Sequence, residues 1–291
     1  MTKFKVLMPC YNDWSSVFKL LKNIDNEISN LKSKFSVIIV NDGSTDKMPE
    51  NRESYENIES VKVINIKTNQ GHTRSNATGI KYLSKKLDFD FLILMDGDGE
   101  DRPEEIKMLV NKALNKKNIS IVAKRVKRSE GTIFTIFYNL HKLITLIFTG
   151  KNMNFGHYSC ITKEDLKTIS SKKSLWGCYS ATLKKFTRRL DNIPCIRGKR
   201  YVQPSKMSFI KLVVHAFSIL AVFKYQVLFR SCLLFAVIFL FVPGLYGVLF
   251  EFFVVIFTIC VFSVSMRESE DELANCEEKI ASIENIHTKK L

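Results

Sequence analysis

The sequence predicts an α/β chain: a Rossmann-like, mostly parallel sheet, then an amphipathic interfacial helix and a C-terminal transmembrane hairpin. Two observations carry this. Short runs rich in Val and Ile alternate with amphipathic stretches through about residue 125, the rhythm of strands buried on both faces and joined by crossover helices. Past residue 207 the chain turns apolar, and Ser231–Ser265 runs for 35 residues with a single charge, Glu251.

Taken in order, Phe4–Pro9 reads as a buried strand, Ser16–Leu31 as an amphipathic helix, Phe35–Asn41 as a second strand and Val61–Ile66 as a third. A helix over about Thr73–Lys86 and a strand over Phe89–Met95 follow. The next helix opens at Asp101-Arg102-Pro103, with Asp101 as the expected cap and the proline close behind. Ile119–Ala123 is the next strand, and Thr132–Phe148 is a helix expected to lie against the sheet or the membrane. Residues 149–200 are turn-rich and give no periodicity that places their elements.

Ser208–Tyr225 has the amphipathic character of a helix lying in an interface. One bilayer span takes about 20 residues, so the apolar run that follows is long for one span and short for two. Pro243-Gly244 near its middle, and an extension back toward Val227 with Arg230 snorkelling, favour a tight hairpin over one span or a re-entrant loop. The implied organisation is a catalytic unit at 1–207, an interfacial segment at 208–226, the hairpin at 227–265 and a charged cytoplasmic tail at 266–291. That tail reads as a short solvated helix with Leu273, Ile280 and Ile283 among Glu and Lys, and also offers a pairing surface for a homo-oligomer.

Composition narrows the partners. The net charge is +15, with hydrophobic residues at 46% and charged residues at 25%, which excludes a disordered chain. Eleven Lys or Arg and one acid, Asp191, lie between Lys184 and Arg230, beside the apolar run. Basic residues there suit an anionic membrane surface better than nucleic acid, and put the hairpin's two ends on the cytoplasmic side. Seven cysteines occur singly, with no CxxC pair, as expected of reduced thiols.

The chemistry-bearing residues come directly after strands, where a parallel sheet opens its ligand crevice. Asp96 and Asp98 in MDGDGEDRPEE follow FLIL, and carboxylates two apart at a strand mouth can share a divalent cation that also grips phosphate. VNDGSTD makes a turn in which Asp42, Gly43, Ser44 and Asp46 converge, and Asp suits a base imide or a ribose hydroxyl. In MPCYND, Tyr11 could stack on a flat base, and NQGHTRSNATG opens a helix whose small residues suit packing near a phosphate. Arg125 and Arg128, just past a strand, are candidates for a phosphate clamp, with Lys206 a weaker one.

Together these motifs resemble a family 2 inverting glycosyltransferase of the A-type fold, close to the polyprenyl-phosphate sugar transferases, of which dolichyl-phosphate mannose synthase is one. The resemblance runs through MPCYND, VNDGSTD, Asn69-Gln70-Gly71, MDGDGEDRPEE and the Arg125/Arg128 segment, and returns in RGKRYVQPSKMSF and the hairpin. It implies a nucleotide-sugar donor, UDP- or GDP-linked, with Pro9, Tyr11 and Asp42 on the base. Asn12, Asp13, Gly43, Ser44, Asn69 and Gly71 would frame that pocket. Asp96 and Asp98 would hold the ribose and a Mg2+ or Mn2+ ion. Asn41, Asp13, Glu100 and Arg102 depart from the family's usual residues, which touches acceptor contacts more than donor contacts.

The acceptor decides the catalytic need. A lipid phosphate is already anionic, so alignment, the metal and Arg125 suffice; a sugar hydroxyl needs a base, for which Asp101 and Glu104 are candidates. The membrane segment and the basic block favour polyprenyl phosphate. A lipid-linked glycan acceptor is the alternative, and a non-catalytic nucleotide-sugar-binding partner the next.

Overall fold

In the computed structural model, which describes residues 1–50, 54–127, 132–202 and 208–289, one eight-stranded sheet organises the chain. Its strands are β1 (Thr2–Cys10), β2 (Ser33–Asn41), β3 (Ile58–Ile66), β4 (Phe91–Leu94), β5 (Ser120–Lys127), β6 (Phe155–Thr162), β7 (Leu190–Ile196) and β8 (Ile280–Thr288), in the order β7-β5-β6-β4-β1-β2-β3-β8. β1 pairs in parallel with β2 and β4, β2 with β3 and β5 with β7, whereas β6 and β8 run antiparallel to their neighbours. The predicted mostly parallel sheet is present, with its reversed strands in regions whose periodicity is weakest.

Helices α1 (Trp14–Ile28) and α3 (Ile106–Asn115) cover one face of the sheet, and α2 (His72–Ser84) the other. Strand alternation assigns the faces: Phe4, Val6 and Met8 join Leu20, Leu21, Ile24 and Leu109, while Leu7, Ile38 and Val40 join Ile80 and Leu83. Phe4 stacks between Phe35 and Phe91, each ring centroid 5.2 Å away. Gly79 on α2 is required here, because a Cβ would lie 2.7 Å from a Leu7 methyl of the sheet.

Asp101 does not cap a helix. A short 3-10 turn at Pro103–Glu105 precedes α3, and the Asp101 carboxylate reaches back to the Asp96 backbone N–H at 2.9 Å. The turn-rich stretch resolves into β6, α5 (Lys163–Ser170), α6 (Tyr179–Phe186) and β7, with α4 (Thr132–Thr149) before it. Tyr158 on β6 donates to the Arg102 carbonyl at 2.9 Å, fixing the loop after β4 against the reversed strand.

After the sheet come α7 (Phe209–Val222), α8 (Lys224–Phe241) and α9 (Leu245–Ser265). α8 and α9 are long and apolar enough to cross a membrane. They meet at a tight turn where Gly244 has φ +79° and where any Cβ on Gly247 would fall on the Val242 carbonyl. The Arg230 guanidinium donates to the Ile147 carbonyl at 2.6 Å, near the C-terminus of α4, where a cation is favoured. α4 turns Ile136, Leu140, Leu143 and Ile147 outward, and Phe137 packs edge-on to Phe209 of α7, 6.3 Å between centroids.

The tail is not a lone solvated helix. After a single turn, α10 (Glu270–Ala274), it returns as β8 along the free edge of β3. Two register shifts in that pairing skip Ala281 and Ile286, and the first lets Ile280 and Ile283, three residues apart, stand opposite Ile66 and Ile64 on one face of a strand. That spacing imitates a helix.

Candidate active site

The loops after β1, β2 and β3 are laced into one rim. Asn12, with φ +48°, donates its backbone N–H to the Ser44 hydroxyl at 2.9 Å, and its side-chain carbonyl accepts from the Thr45 N–H at 2.8 Å. Trp14 donates from the indole to the Asp46 carbonyl at 3.1 Å. Gly43 has φ +67°, and a Cβ there would meet the Asn69 backbone nitrogen at 2.6 Å, so the second and third loops touch through main chain.

Asp42, 2% exposed, fastens this junction: its carboxylate oxygens accept from the Gln70 N–H at 2.8 Å and the Gly71 N–H at 2.9 Å. Burial pushes its pKa up, and the two N–H donors pull against that shift. Tyr11 and Asn69 are exposed on the rim, while Pro9 sits below it, its carbonyl 2.5 Å from where a Cβ on Gly97 would stand. The predicted donor residues are therefore gathered at the carboxyl ends of β1, β2 and β3, with Asp42 spent on holding the loop.

The loop after β4 carries the acids. The Asp96 carboxylate lies 2.8 Å from His72 Nε2, at the first residue of α2, and the His72 ring meets His157 of β6 edge-on, 4.6 Å between centroids. Burial raises the Asp96 pKa but His72 outweighs it, holding the carboxyl well below the usual carboxylate range. His157, stacked on Tyr179 at 5.6 Å, has a buried Nε2 with no hydrogen-bond partner, and burial, reinforced by His72, pushes the ring down to about 3. Burial and the neighbouring Asp96 charge push Asp101 up to about 7 and Asp98 up to about 6.

Asp98 is held by different partners, although its charge also acts on His72. One oxygen accepts from the Glu100 N–H at 2.9 Å, and the other lies 2.5 Å from Arg200, which also reaches Asp13 at 3.5 Å. The segment carrying Arg200 is docked on the acidic loop: the Gly198 N–H donates to the Glu100 carbonyl, Tyr201 N–H to the Asp98 carbonyl, and Arg197 pairs with Glu100. Gly99 has φ +88° and packs under the Tyr201 ring.

Arg125, at the end of β5, lies over Gly156, where a Cβ would stand 2.8 Å from its guanidinium, and its charge opposes the rise at Asp101. Arg128 and Lys206 lie outside the described residues. His215 of α7 is pushed down to about 4 by burial, then by His72, His141 and Arg125, so α7 lies beside this cluster. Among the described residues, the atoms grouped closely enough to hold a metal ion are those of His72, Asp96 and His157. Sequence reasoning named Asp96 but missed both histidines, since single His residues carry no ligand spacing, and it gave Arg200 no role of its own within the basic block and the motif RGKRYVQPSKMSF.

Known proteins share this architecture. A mycobacterial protein of known structure matches with a TM-score of 0.52 at 14% identity, over 77% of this chain and 74% of that one. Glucosyl-3-phosphoglycerate synthase from Mycobacterium tuberculosis, solved with Mn2+ and UDP-glucose, matches with a TM-score of 0.50 at 14% identity, over 77% and 79%. The fold is therefore that of A-type glycosyltransferases.

Undecaprenyl-phosphate 4-deoxy-4-formamido-L-arabinose transferase from Proteus mirabilis (strain HI4320) is 28% identical over 221 residues, 73% of this chain and 65% of that protein. Its counterpart from Klebsiella pneumoniae (strain 342) is 25% identical over 222 residues, 72% and 64%. The chain thus spans about 65% of the length of these relatives. Residues 5–175, reaching from β1 past the whole acidic loop to β6 and α5, match the description of glycosyl transferase family 2, and the chain belongs to that family.

Proposed function

We propose that this chain is a membrane-anchored inverting glycosyltransferase that moves a sugar from a nucleotide-sugar to a polyprenyl phosphate. The observation that carries the reading is the place of the acidic loop: Asp96, Asp98 and Asp101 sit at the strand mouth with Arg125, beside α7 and the outward apolar side of α4. A donor seated on the rim formed by residues 9–13, 42–46 and 69–71 would present its diphosphate to those acids. An acceptor whose phosphate lies at a bilayer surface would reach Arg125 from the side of α7.

A divalent ion, Mg2+ or Mn2+, would supply charge neutralisation for the departing nucleoside diphosphate. Asp96 fits such an ion, its carboxylate lying beside His72 and grouped with His157, whose Nε2 is unpartnered, and a fold neighbour holds Mn2+ with UDP-glucose. The chain's own residues do the rest. Arg125 would pair with the acceptor phosphate and align its oxygen with the anomeric carbon, and the buried Asp101–Asp96 contact keeps the loop rigid. Direct attack inverts the configuration. A phosphate oxygen needs no base; for a sugar hydroxyl, Asp101, poised near 7, is the group suited to take the proton.

The relatives' names support an undecaprenyl-phosphate acceptor. α8 and α9 would form the two-span anchor, with the basic stretch before them holding the catalytic unit on the cytoplasmic face. The test uses the full chain in detergent with Mn2+, undecaprenyl phosphate and a panel of UDP- and GDP-sugars, following nucleoside diphosphate release and lipid-linked sugar together. Lipid-dependent release supports the proposal and names the donor. Donor turnover only with a lipid-linked glycan would move the acceptor to that glycan, and absence of turnover with either would reject the transferase reading.

A further inference from the structure

We propose that Trp176, Glu272 and Lys279 are positioning residues for the donor site: the turn that follows α9 closes on Trp176 and thereby sets the loop 67–71 and the start of α2. The inference rests on the reading that this rim seats a nucleotide-sugar. A buried indole needs an acceptor for its N–H. Trp176 is 1% exposed, and its Nε1 donates at 2.6 Å to Glu272 of α10, 96 residues further along the chain. The same carboxylate oxygen lies 3.5 Å from Arg74, in the first turn of α2, and the Arg74 guanidinium stands over the Trp176 ring, 5.2 Å from its centroid. A second cation, Lys279, lies 5.3 Å from the same centroid. Both are attracted to the indole face, so one ring gathers α2 and the tail at one point.

Lys279 carries the contact to the rim. Its ammonium donates to the Gln70 side-chain carbonyl at 2.8 Å, and its own carbonyl accepts the Lys67 N–H at 2.9 Å. The Lys67 ammonium in turn reaches the Glu278 carbonyl at 2.9 Å. The N–H groups of Gln70 and Gly71 are those that Asp42 holds, so Asp42 and the tail fasten this loop together. His72, two residues before Arg74, meets Asp96, and a shift of the first turn of α2 would disturb that contact too.

The clasp is tied to α9. Residues 266–269 alone separate α9 from α10, and within them Glu268 packs on Gly177, where a Cβ would stand 3.2 Å from its Cγ. Contact therefore runs from the end of α9 past Trp176 to the donor loop. The tail also pairs Glu277 with Lys85 at the other end of α2, a contact remote from the rim that serves as a control.

The experiment measures binding of UDP and GDP, each with Mn2+, to the purified full chain in detergent, together with hydrogen exchange of the 67–72 backbone. Glu272→Ala and Lys279→Met should each weaken binding of the nucleotide that the wild type takes by at least about fivefold, the scale of one lost hydrogen bond, and speed exchange at Gln70 and Gly71. Glu272→Gln, whose amide oxygen still accepts the indole N–H, should recover most of the loss. The double variant should lose less than the two single losses multiplied, because both act on one loop. Lys85→Ala cuts an exposed ion pair and should leave both readouts within about twofold. Unchanged binding or unchanged exchange in both single variants overturns the proposal, as does an equal loss in Lys85→Ala, which would make the tail a general brace. Faster exchange in variants of a chain that binds neither nucleotide and transfers no sugar removes the transferase reading and leaves the clasp standing. Lipid product formed while exchange and nucleotide affinity stay unmoved in the variants does the reverse.

Discussion

Arg200 places its guanidinium 2.5 Å from the Asp98 carboxylate across 102 residues of chain, and its other nitrogen reaches Asp13 at 3.5 Å. One planar fork therefore joins the first strand's loop, the acidic loop and the segment leading toward α7. Arg200→Ala should leave Asp98 without its cation beside Asp96. Backbone exchange at residues 97–101 should speed up, and sugar transfer should fall at least about tenfold, the scale of one charged hydrogen bond. Arg200→Lys should recover only part of this, because an ammonium is a point charge that serves two carboxylates poorly. Unchanged exchange in both variants would show that the loop is held by other contacts.

Asp42 gives a sharper test of the rim. It receives two backbone N–H groups from the loop that begins α2, and an amide can duplicate one of those acceptors only. Asp42→Asn should therefore cost about 1 kcal/mol of loop order, seen as a roughly fivefold rise in KM for the donor with kcat nearly unchanged. Asp42→Ala should cost more in KM and also lower the melting temperature. A fall in kcat alone would place Asp42 in contact with reacting groups instead.

The return of the tail to the sheet makes β8 structural. Ile286 packs against the core on the face holding α1, and Asn65 donates to both Ser282 and Glu284 across the edge. Lys279 also reaches the Gln70 side chain at 2.8 Å, so the tail steadies the donor rim. Ile286→Ala should cost about 1–2 kcal/mol, lowering the melting point by a few degrees. Deleting 280–291 should bare the β3 edge and promote aggregation during purification. A fully soluble, equally stable truncated chain would refute this role.

What was legible in the sequence follows from how each signal is encoded. The runs VIIV and FLIL, apolar without alternation, mark strands buried on both faces, and the acids and glycines after them mark the crevice. β8 was hidden because the skip at Ala281 places Ile280 and Ile283 on one face three residues apart, a spacing that reads as helical. β6 and β7 lie in a stretch whose reversal and pairing are set by neighbours 30 or more residues away. His72 and His157 are distant in sequence and become a pair only when α2 and β6 meet. Arg200 sits among other cations, so only its partner distinguishes it.

The approach of the lipid acceptor gives the last prediction. α7 exposes Phe209, Ile210 and Val213 while His215, two residues further on, faces the cluster with Arg125. On a helix these positions separate an apolar side from a site-facing side, so α7 can lie in the bilayer surface and still line the acceptor's path. The combined variant Phe209→Ser, Ile210→Ser and Val213→Ser removes the apolar side without touching α8 or α9. If α8 and α9 form the proposed anchor it should still float with vesicles, and it should bind donor nucleotide normally. Its KM for undecaprenyl phosphate should rise at least about fivefold, because burial of three large apolar side chains in the interface is lost. If KM for a short-chain, water-soluble polyprenyl phosphate rises by the same factor, α7 acts on the phosphate site rather than on the membrane.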